Sequence, residues 1–278
     1  MSTVHVTTFT VDVEDWFHVC GVGAPPMVDR NRWRVAETTG RLLDLFAELG
    51  IRGTFFMLGS VAAAEPGLAP RIVDEGHEIA SHGYSHRPVY ELSPDEFHEE
   101  LTRTADIIVS QTGVKPVGFR APQWSLGKRT PWAFDILARE GYRYDSSCTP
   151  LPLIGEPKGS KIPYVIEADS GKLWEIPPLV TPGRLTNLPC GGGWGLRMFP
   201  LKTVLRGIKA AHDSGNPAVF FLHPREVDPG GPRLKLPLLK SFAAYGPRKD
   251  STSRLKCVAE TGVSIPLREL VDSWPSAS

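Results

Sequence analysis

Three acidic side chains lie within four residues near the start of this 278-residue chain, in the motif Asp12-Val13-Glu14-Asp15. They end a segment rich in Val and Thr, residues 4–13, which predicts a buried strand. Acids in such a place are costly unless they are paired or bound to a cation. In an extended segment Asp12 and Glu14 point to the same side, so one could bind a metal while the other takes up a proton. A solvated acidic turn is the alternative, although the aromatic residues that follow favour the wall of a pocket.

A pair of histidines, His82 and His86, has the spacing His-x-x-x-His. If this segment is helical, both rings lie on one face, at a distance suited to chelating a divalent metal. The same spacing occurs in surface or capping histidines, and the motif alone favours that alternative. Residues 77–81 predict a short strand, however, and this strand would deliver the pair to the end of a sheet.

Two further residues, Arg120 and His223, also come directly after predicted strands. An arginine near acids would hold a carboxylate ionised and oriented, or form an ordinary structural ion pair. A histidine that ends an apolar strand is often a core residue. His223 also has the chemistry of a general acid, because histidine titrates near neutral pH.

The elements that must position these residues alternate between strand and helix. We predict strands at residues 4–13, 53–58, 77–81, 116–119, 142–144, 173–176 and 218–222. We predict helices at residues 34–49, 61–75 (irregular at two prolines), 131–139 and 201–211, and one that starts with a capping box at Ser93. This order predicts parallel strands joined by helical crossovers. The active site of such folds lies at the carboxyl ends of the strands, where these polar residues fall: Asp12 to Asp15, His82, His86, Arg120, Asp145, Glu175 and His223.

Composition narrows the class of protein. Lys+Arg and Asp+Glu are 31 each, and this balance favours neither nucleic acid nor an anionic membrane surface as a partner. The four cysteines contain no Cys-x-x-Cys pair, so we expect free thiols and no zinc knuckle: Cys20, Cys148, Cys190 and Cys257. The amino terminus lacks the features of a secretory signal, and no apolar run reaches the roughly 18 residues of a transmembrane helix. We therefore expect a cytoplasmic protein.

Taken together, these residues resemble the polysaccharide deacetylase family, the NodB-like enzymes of the carbohydrate esterase family 4 type. The order of motifs is the same: an acidic first strand, His-x-x-x-His, an Arg-x-Pro segment and a late Leu-His. More closely, the chain resembles the deacetylases associated with exopolysaccharide and exosortase loci. The shared features are the Asp-Val-Glu-Asp-Trp opening, the glycine-rich run 191–194, the segment His-Pro-x-Glu-x-Asp-Pro at 223–229, and a carboxy-terminal extension at about 230–270.

The resemblance implies one polysaccharide deacetylase domain over residues 1–278, folded as a distorted (β/α) barrel with fewer than eight regular strands. It also implies a role for each matching residue. Asp12 is the catalytic base, Arg120 positions it, and His223 is the general acid. His82 and His86 bind the metal, and the backbone N–H of Gln123 stabilises the oxyanion.

The chain departs from the usual family pattern at Val13, where many members have a second aspartate. Relatives with Asp-x-Asp use the third position as a metal ligand, so Glu14 is the first choice and Asp15 the second. Glu175 is the candidate for the acid that partners His223. Three tryptophans could stack on sugar rings, although at least one is expected in the core: Trp16, Trp124 and Trp194.

The implied function is hydrolysis of N-acetyl groups on the amino sugars of a polysaccharide or its precursor. Two histidines and a carboxylate suit one Zn²⁺ ion, and also Co²⁺ or Ni²⁺. One rival is a metal-dependent hydrolase of another non-peptide C–N bond, in a small amide or cyclic imide. A second rival is a saccharide-binding relative without catalysis.

Overall fold

The computed structural model describes residues 4–19, 27–152, 154–247 and 249–274. The strands are β1 (Thr7–Val13), β2 (Thr54–Met57), β3 (Glu78–Ser81), β4 (Gly118–Phe119), β5 (Tyr144–Asp145), β6 (Tyr164–Ala168), β7 (Gly171–Glu175), β8 (Thr181–Pro182), β9 (Asn187–Leu188) and β10 (Ala218–Leu222). The α-helices are α1 (Val35–Leu49), α2 (Gly59–Ala64), α3 (Leu68–Asp74), α4 (Pro94–Thr112), α5 (Pro131–Arg139), α6 (Gly193–Met198), α7 (Leu201–Asp213), α8 (Leu238–Tyr245), α9 (Thr252–Ala259) and α10 (Leu267–Ser273). Short 3-10 helices lie at Arg30–Arg32, Val89–Glu91, Pro122–Trp124 and Pro224–Val227.

An eight-stranded sheet forms the centre of the molecule, in the order β10-β1-β2-β3-β4-β5-β7-β6. All neighbouring pairs are parallel except β6 and β7, which form an antiparallel hairpin. Among the described residues, no pairing joins β10 to β6, so the curled sheet stays open on that side. Seven parallel strands in an open, curled sheet confirm the predicted distorted barrel. The antiparallel strand β6 was missed.

The first strand is central because it is apolar enough to be covered on both faces. All seven residues of β1 are buried, and the strand pairs with β10 on one side and β2 on the other. A run of Val, Thr and Phe suits such a strand, since a parallel sheet has both faces covered. The position of β1 between two neighbours places Asp12 opposite Phe56 and brings the acidic motif to the middle of the sheet edge.

Most predicted helices are present with small shifts at their ends. Helix α4 begins with the expected capping box, in which Ser93 and Glu96 each accept a hydrogen bond from the other's backbone N–H. The predicted helix at 61–75 is two helices, α2 and α3, which are separated around Pro66. The helices of the carboxy-terminal extension were not predicted, although the buried residues Leu267, Leu270 and Val271 of α10 have helical spacing.

Strand β4 is only two residues long and needs a close approach to β5. Gly118 pairs with Tyr144, and a Cβ atom at position 118 would overlap the Tyr144 ring. That ring is fully buried, and its hydroxyl donates a hydrogen bond to Glu78 at 3.0 Å. The ring therefore cannot move aside, and glycine at this position lets β4 deliver Arg120 to the sheet edge.

We predict that Gly118→Ala destabilises the protein by at least about 1–3 kcal/mol, the usual cost of overpacking a core. Gly67→Ala is the matched control, because position 67 has right-handed backbone and no neighbouring atom within 4 Å of the added carbon. Denaturant unfolding monitored by circular dichroism measures both. Equal stability of the two variants would contradict the close-approach argument.

Candidate metal and catalytic centre

Glu14 lies between the two histidines of the His-x-x-x-His motif. Its Oε1 atom is 3.0 Å from His82 Nε2 and 2.8 Å from His86 Nε2. All three side chains are buried, with at most 4% of their surface exposed. Two imidazole nitrogens and a carboxylate oxygen that converge in this way have the donor types of a divalent metal site.

The histidine pair does not lie on a helix, so the helical interpretation of its spacing is wrong. The segment turns through left-handed backbone at Gly83 (φ 72°) and again at His86 (φ 64°). A left-handed conformation is uncommon for a residue other than glycine. The turn nevertheless brings both Nε2 atoms to the same carboxylate oxygen.

The second nitrogen of His82 supports a role as ligand. Nδ1 lies 2.7 Å from the backbone carbonyl of Arg120, which can only accept, so Nδ1 carries a proton. In the neutral ring, Nε2 is then an acceptor that faces Glu14 Oε1, another acceptor. Two acceptor atoms this close require a proton or a cation between them. In addition, a metal-ligating histidine usually donates a hydrogen bond from its other ring nitrogen, as Nδ1 of His82 does here. The residues present therefore fit a divalent ion.

Asp15, the alternative ligand, is engaged elsewhere. Its Oδ1 accepts from the Trp16 backbone N–H, and its Oδ2 accepts from the N–H groups of Arg34 and Val35 at 2.8 and 3.0 Å. The side chain therefore satisfies the first N–H groups of helix α1, whose positive end favours a carboxylate. The structure brings Glu14, and not Asp15, to the histidine pair.

Asp12 is held by a buried guanidinium. Arg120 Nη1 donates to Asp12 Oδ1 at 2.7 Å and to Thr10 Oγ1 at 2.8 Å. The rest of the guanidinium donates to Ser146, to its carbonyl at 3.0 Å and its hydroxyl at 2.8 Å. Arg120 is fully buried, and its guanidinium carbon lies 4.2 Å from the centre of the Phe56 ring. Ser146 was missed by the sequence interpretation, although it directly follows a predicted strand end.

His223 lies beside both acids of the cluster. Its Nε2 atom is 4.0 Å from Asp12 Oδ2 and 3.7 Å from Glu14 Oε2. Its Nδ1 atom is 3.7 Å from Oε1 of Glu226, a buried acid that also forms an ion pair with Arg197. Glu226 therefore takes the place of the predicted partner acid. The signal for it was present in the His-Pro-x-Glu motif.

The predicted partner acid, Glu175, belongs to a different cluster. It pairs in register with Asp145 and accepts a hydrogen bond from the backbone N–H of Cys148 at 3.0 Å. Burial and the neighbouring Asp145 carboxylate raise the pKa of Glu175 well above its ordinary value. The two carboxyl groups thus share the carboxyl ends of β5 and β7.

A second basic group, Arg225, lies beside the ligand carboxylate and was missed by the sequence interpretation. Its Nη1 atom is 3.5 Å from Glu14 Oε2 and donates to the carbonyl of His18 at 3.0 Å. The His18 ring lies tilted beside the His86 ring, with centroids 5.2 Å apart, and its Nδ1 accepts from the Asp15 backbone N–H. The position of Arg225, two residues after His223, was the available signal.

Burial and charge set the protonation of the cluster. Burial opposes ionisation of Glu14, but the histidines His86 and His223 and two hydrogen bonds outweigh it and hold its pKa well below the ordinary value. Burial, with a contribution from Arg225, lowers the pKa of His223 to about 3. The resting site therefore has an ionised Glu14 and a neutral His223.

The three tryptophans have different environments. Trp124 is half-buried, forms an edge contact with Phe221 at 4.8 Å, and lies in a turn where both it and Gln123 have left-handed backbone. Trp16 is 7% exposed, and its Nε1 donates to the Arg32 carbonyl. The indole of Trp194 donates to the carbonyl of Phe242 in α8. Trp124 is thus beside the centre, whereas Trp16 and Trp194 stabilise the surrounding structure.

The described cysteines, Cys148, Cys190 and Cys257, have free thiols, as expected. Cys20, which also entered that expectation, lies outside the described residues. Among the described helices, none has both the length and the apolar character needed to cross a bilayer.

A curled, mainly parallel sheet with acids and histidines at the carboxyl ends of its strands defines an α/β enzyme of the distorted-barrel type. A family model described as polysaccharide deacetylase matches residues 27–144, and a model described as a domain of unknown function, DUF3473, matches residues 146–271. Residues 27–144 of the chain therefore match the polysaccharide deacetylase family. The family and the class of enzyme predicted from the sequence are thereby confirmed.

Known proteins similar to this chain agree with that assignment. A peptidoglycan deacetylase of Helicobacter pylori is 27% identical over 206 residues, which cover 70% of this chain and 68% of that protein. A peptidoglycan deacetylase-like protein of Gibberella zeae is 31% identical over 168 residues. This second match covers 59% of the chain and 48% of the relative, about half its length.

Solved structures show the same fold. A candidate polysaccharide deacetylase of Mycobacterium smegmatis matches with a TM-score of 0.66 and 21% identity, over 98% of this chain and 90% of that one. An allantoinase matches with a TM-score of 0.68 and 16% identity, over 98% of this chain and 91% of that one. At these identities the likeness is evidence for the fold.

We predict that Glu14→Ala weakens binding of Zn²⁺ by about a hundredfold or more, because loss of a ligand should exceed the 10–100-fold effect of a supporting residue. Asp15→Ala should keep its metal and instead lose about 1–2 kcal/mol of stability as a helix cap. Metal content by mass spectrometry and denaturant unfolding separate the two effects. Loss of metal only in the Asp15 variant would reverse the assignment.

Proposed function

We propose that this chain is a divalent-metal-dependent N-deacetylase of amino-sugar polymers. The observation that carries the proposal is the placement of a clamped carboxylate, Asp12, and a histidine, His223, beside the Glu14–His82–His86 ligand set. This arrangement provides a base, an acid and a metal site within a few ångströms. Those are the groups that hydrolysis of an acetamide requires.

The proposed metal ligands are Glu14, His82 and His86. Two imidazole nitrogens and one carboxylate suit Zn²⁺, Co²⁺ or Ni²⁺. A divalent ion bound there supplies Lewis acidity, which polarises an acetyl carbonyl and lowers the pKa of a water molecule.

Asp12 acts as the general base in this scheme. Arg120 holds its Oδ1 atom at 2.7 Å, so the carboxylate has one orientation and needs no rearrangement to accept a proton from water. The Oδ2 atom lies 4.0 Å from the His223 ring. The base and the acid are therefore close enough to act on the same substrate.

His223 delivers a proton to the departing sugar amine. Its ring is neutral at rest, so it must first take up a proton, and Asp12 is the group 4.0 Å from Nε2 that has just acquired one. Glu226, 3.7 Å from Nδ1, stabilises the ring while it is charged. This relay returns Asp12 to the ionised state after each turnover.

The turn at Gln123 and Trp124 serves the substrate. Two consecutive left-handed residues are strained, and such strain is commonly found at functional sites. The backbone N–H of Gln123 is the proposed donor to the oxyanion, and Trp124 offers a ring for stacking on a sugar. A cavity of about 740 Å³ extends from these two residues past Tyr90, which suits several sugar rings better than one small amide.

The names of the relatives favour a glycan as substrate over a small amide or cyclic imide. Three expectations stay predictions: a role in exopolysaccharide biosynthesis, a cytoplasmic location, and a single domain with an extension at about 230–270.

We predict that the purified protein loaded with Zn²⁺ releases acetate from N-acetylglucosamine oligomers. A chelator should abolish the release, and added Zn²⁺, Co²⁺ or Ni²⁺ should restore it. Acetate measured by a coupled enzymatic assay gives the rate. Release from a cyclic imide or small amide, with none from the oligomers, would favour the other C–N hydrolase.

We predict that Asp12→Asn lowers kcat by about 10²–10⁴-fold while the bound metal stays at its original level, because a positioned base contributes on that scale. Asp106→Asn is the matched control, since this acid lies on helix α4, outside the catalytic centre. Equal, measurable rates for Asp12→Asn and the unmodified protein would exclude Asp12 as the base. If neither protein shows any turnover, the non-catalytic, saccharide-binding alternative would remain.

A further inference from the structure

The helix α8 in the carboxy-terminal extension presents large apolar side chains to solvent. Leu238 is 90% exposed, Leu239 is 87% exposed and Phe242 is 45% exposed. Their spacing, i, i+1 and i+4, places them on one side of the helix. Several large apolar side chains together on an exposed face indicate a contact with another apolar phase or surface.

The opposite side of this segment is firmly attached to the protein. Tyr245 is buried, and its hydroxyl accepts from the Leu234 backbone N–H at 2.8 Å and donates to the Trp16 carbonyl at 3.3 Å. Arg197 donates to the Tyr245 carbonyl at 2.7 Å, and Trp194 donates to the Phe242 carbonyl at 3.1 Å. The helix is therefore held with its leucines directed away from the core.

The segment that carries this apolar face has charged residues of a single sign. Residues 229–249 contain five basic residues and no aspartate or glutamate: Arg233, Lys235, Lys240, Arg248 and Lys249. Of these, Lys235, Lys240 and Lys249 are exposed, and Arg248 lies outside the described residues. The zero net charge of the whole chain conceals this local concentration of positive charge.

We infer that this basic and apolar surface, formed by residues 233–247 and Lys249, binds the headgroup region of an anionic lipid bilayer. Leucine and phenylalanine beside lysine and arginine form the pattern of a helix that lies in a membrane interface: the apolar side chains enter the acyl boundary and the cations meet anionic headgroups. A second copy of this chain is a poorer occupant, because it would bring two basic surfaces together. Nucleic acid would not account for the exposed leucines.

The surface adjoins the catalytic centre. Arg233, Tyr245 and Lys249 line a small cavity together with Glu14 and Arg225, so the extension forms part of the rim around the proposed metal site. A bilayer bound at α8 would lie beside that rim. If the proposed deacetylase activity holds, the substrate presented there is a glycan carried on a lipid at the membrane surface; the binding inference itself stands on the surface alone.

The test is flotation of the intact protein with vesicles of phosphatidylcholine alone and of phosphatidylcholine with phosphatidylglycerol in a 7:3 ratio. We expect the protein to bind the mixed vesicles, with a partition coefficient at least about tenfold lower for the pure phosphatidylcholine vesicles. Binding should weaken as the NaCl concentration is raised.

The double variants Leu238→Ser/Leu239→Ser and Lys235→Glu/Lys240→Glu should each lower binding by about tenfold or more. Leu185→Ser is the matched control, since Leu185 is 96% exposed in the β8–β9 turn.

Circular dichroism and thermal unfolding establish that each variant is folded, so loss of binding is attributable to the surface. Absence of vesicle binding by the unmodified protein would overturn the inference. So would binding that is equal for both vesicle types, or equally reduced by Leu185→Ser. Light scattering on the eluted protein gives a further decisive outcome: a dimer lost in the leucine variant, without vesicle binding, would assign the face to a second copy of this chain. Because flotation needs no turnover, failure of the acetate assay would leave this result intact.

Discussion

The buried guanidinium of Arg120 is the constraint on which the catalytic centre depends. A fully buried charge costs several kcal/mol in lost hydration, and this cost must be offset by well-placed partners. Here the partners come from two segments of the chain: Thr10 and Asp12 on β1, and Ser146 after β5. The backbone carbonyl of Arg120 also accepts from His82. One residue thus ties the base, a proposed metal ligand and three strands to a common geometry.

The buried acids of this centre are likewise stabilised by nearby groups of opposite charge. Asp12 and Glu14 lie in a low-dielectric environment, where two like charges repel strongly. Arg120 compensates the first, and His82, His86 and Arg225 surround the second. A cation held by Glu14 would complete this compensation, so the chemistry proposed for the site and the stability of its buried charges have a common origin.

The carboxy-terminal extension shows why local arrangement matters more than overall charge. A net charge of zero argued against an anionic surface as a partner, yet residues 229–249 carry only positive charge. Hydrogen bonds from Trp194 and Arg197 to the carbonyls of Phe242 and Tyr245 give this stretch a defined face. Charge and apolar surface act together only because the fold puts them side by side at the rim of the catalytic centre.

Much of this molecule was readable from the sequence. The alternation of strands and helices predicted a parallel sheet, and short strands that end in Asp12, His82, Arg120 and His223 predicted one shared edge. This succeeds because parallel strands must bring their carboxyl ends together, whatever the details of packing. The resemblance of the motifs to a known family supplied the role expected of each residue.

Other features were decided only by the tertiary structure. The choice between Glu14 and Asp15 depended on where helix α1 begins, because its unsatisfied N–H groups engage Asp15. Ser146, Glu226 and Arg225 each lie next to a predicted site residue or strand end, but their contacts with Arg120, His223 and Glu14 are seen only in the folded chain. The tryptophans look alike in sequence, but packing against the surrounding structure separates Trp124 from Trp16 and Trp194. Sequence spacing predicts which residues lie at the end of a strand, whereas the packing of distant segments determines which atoms they contact.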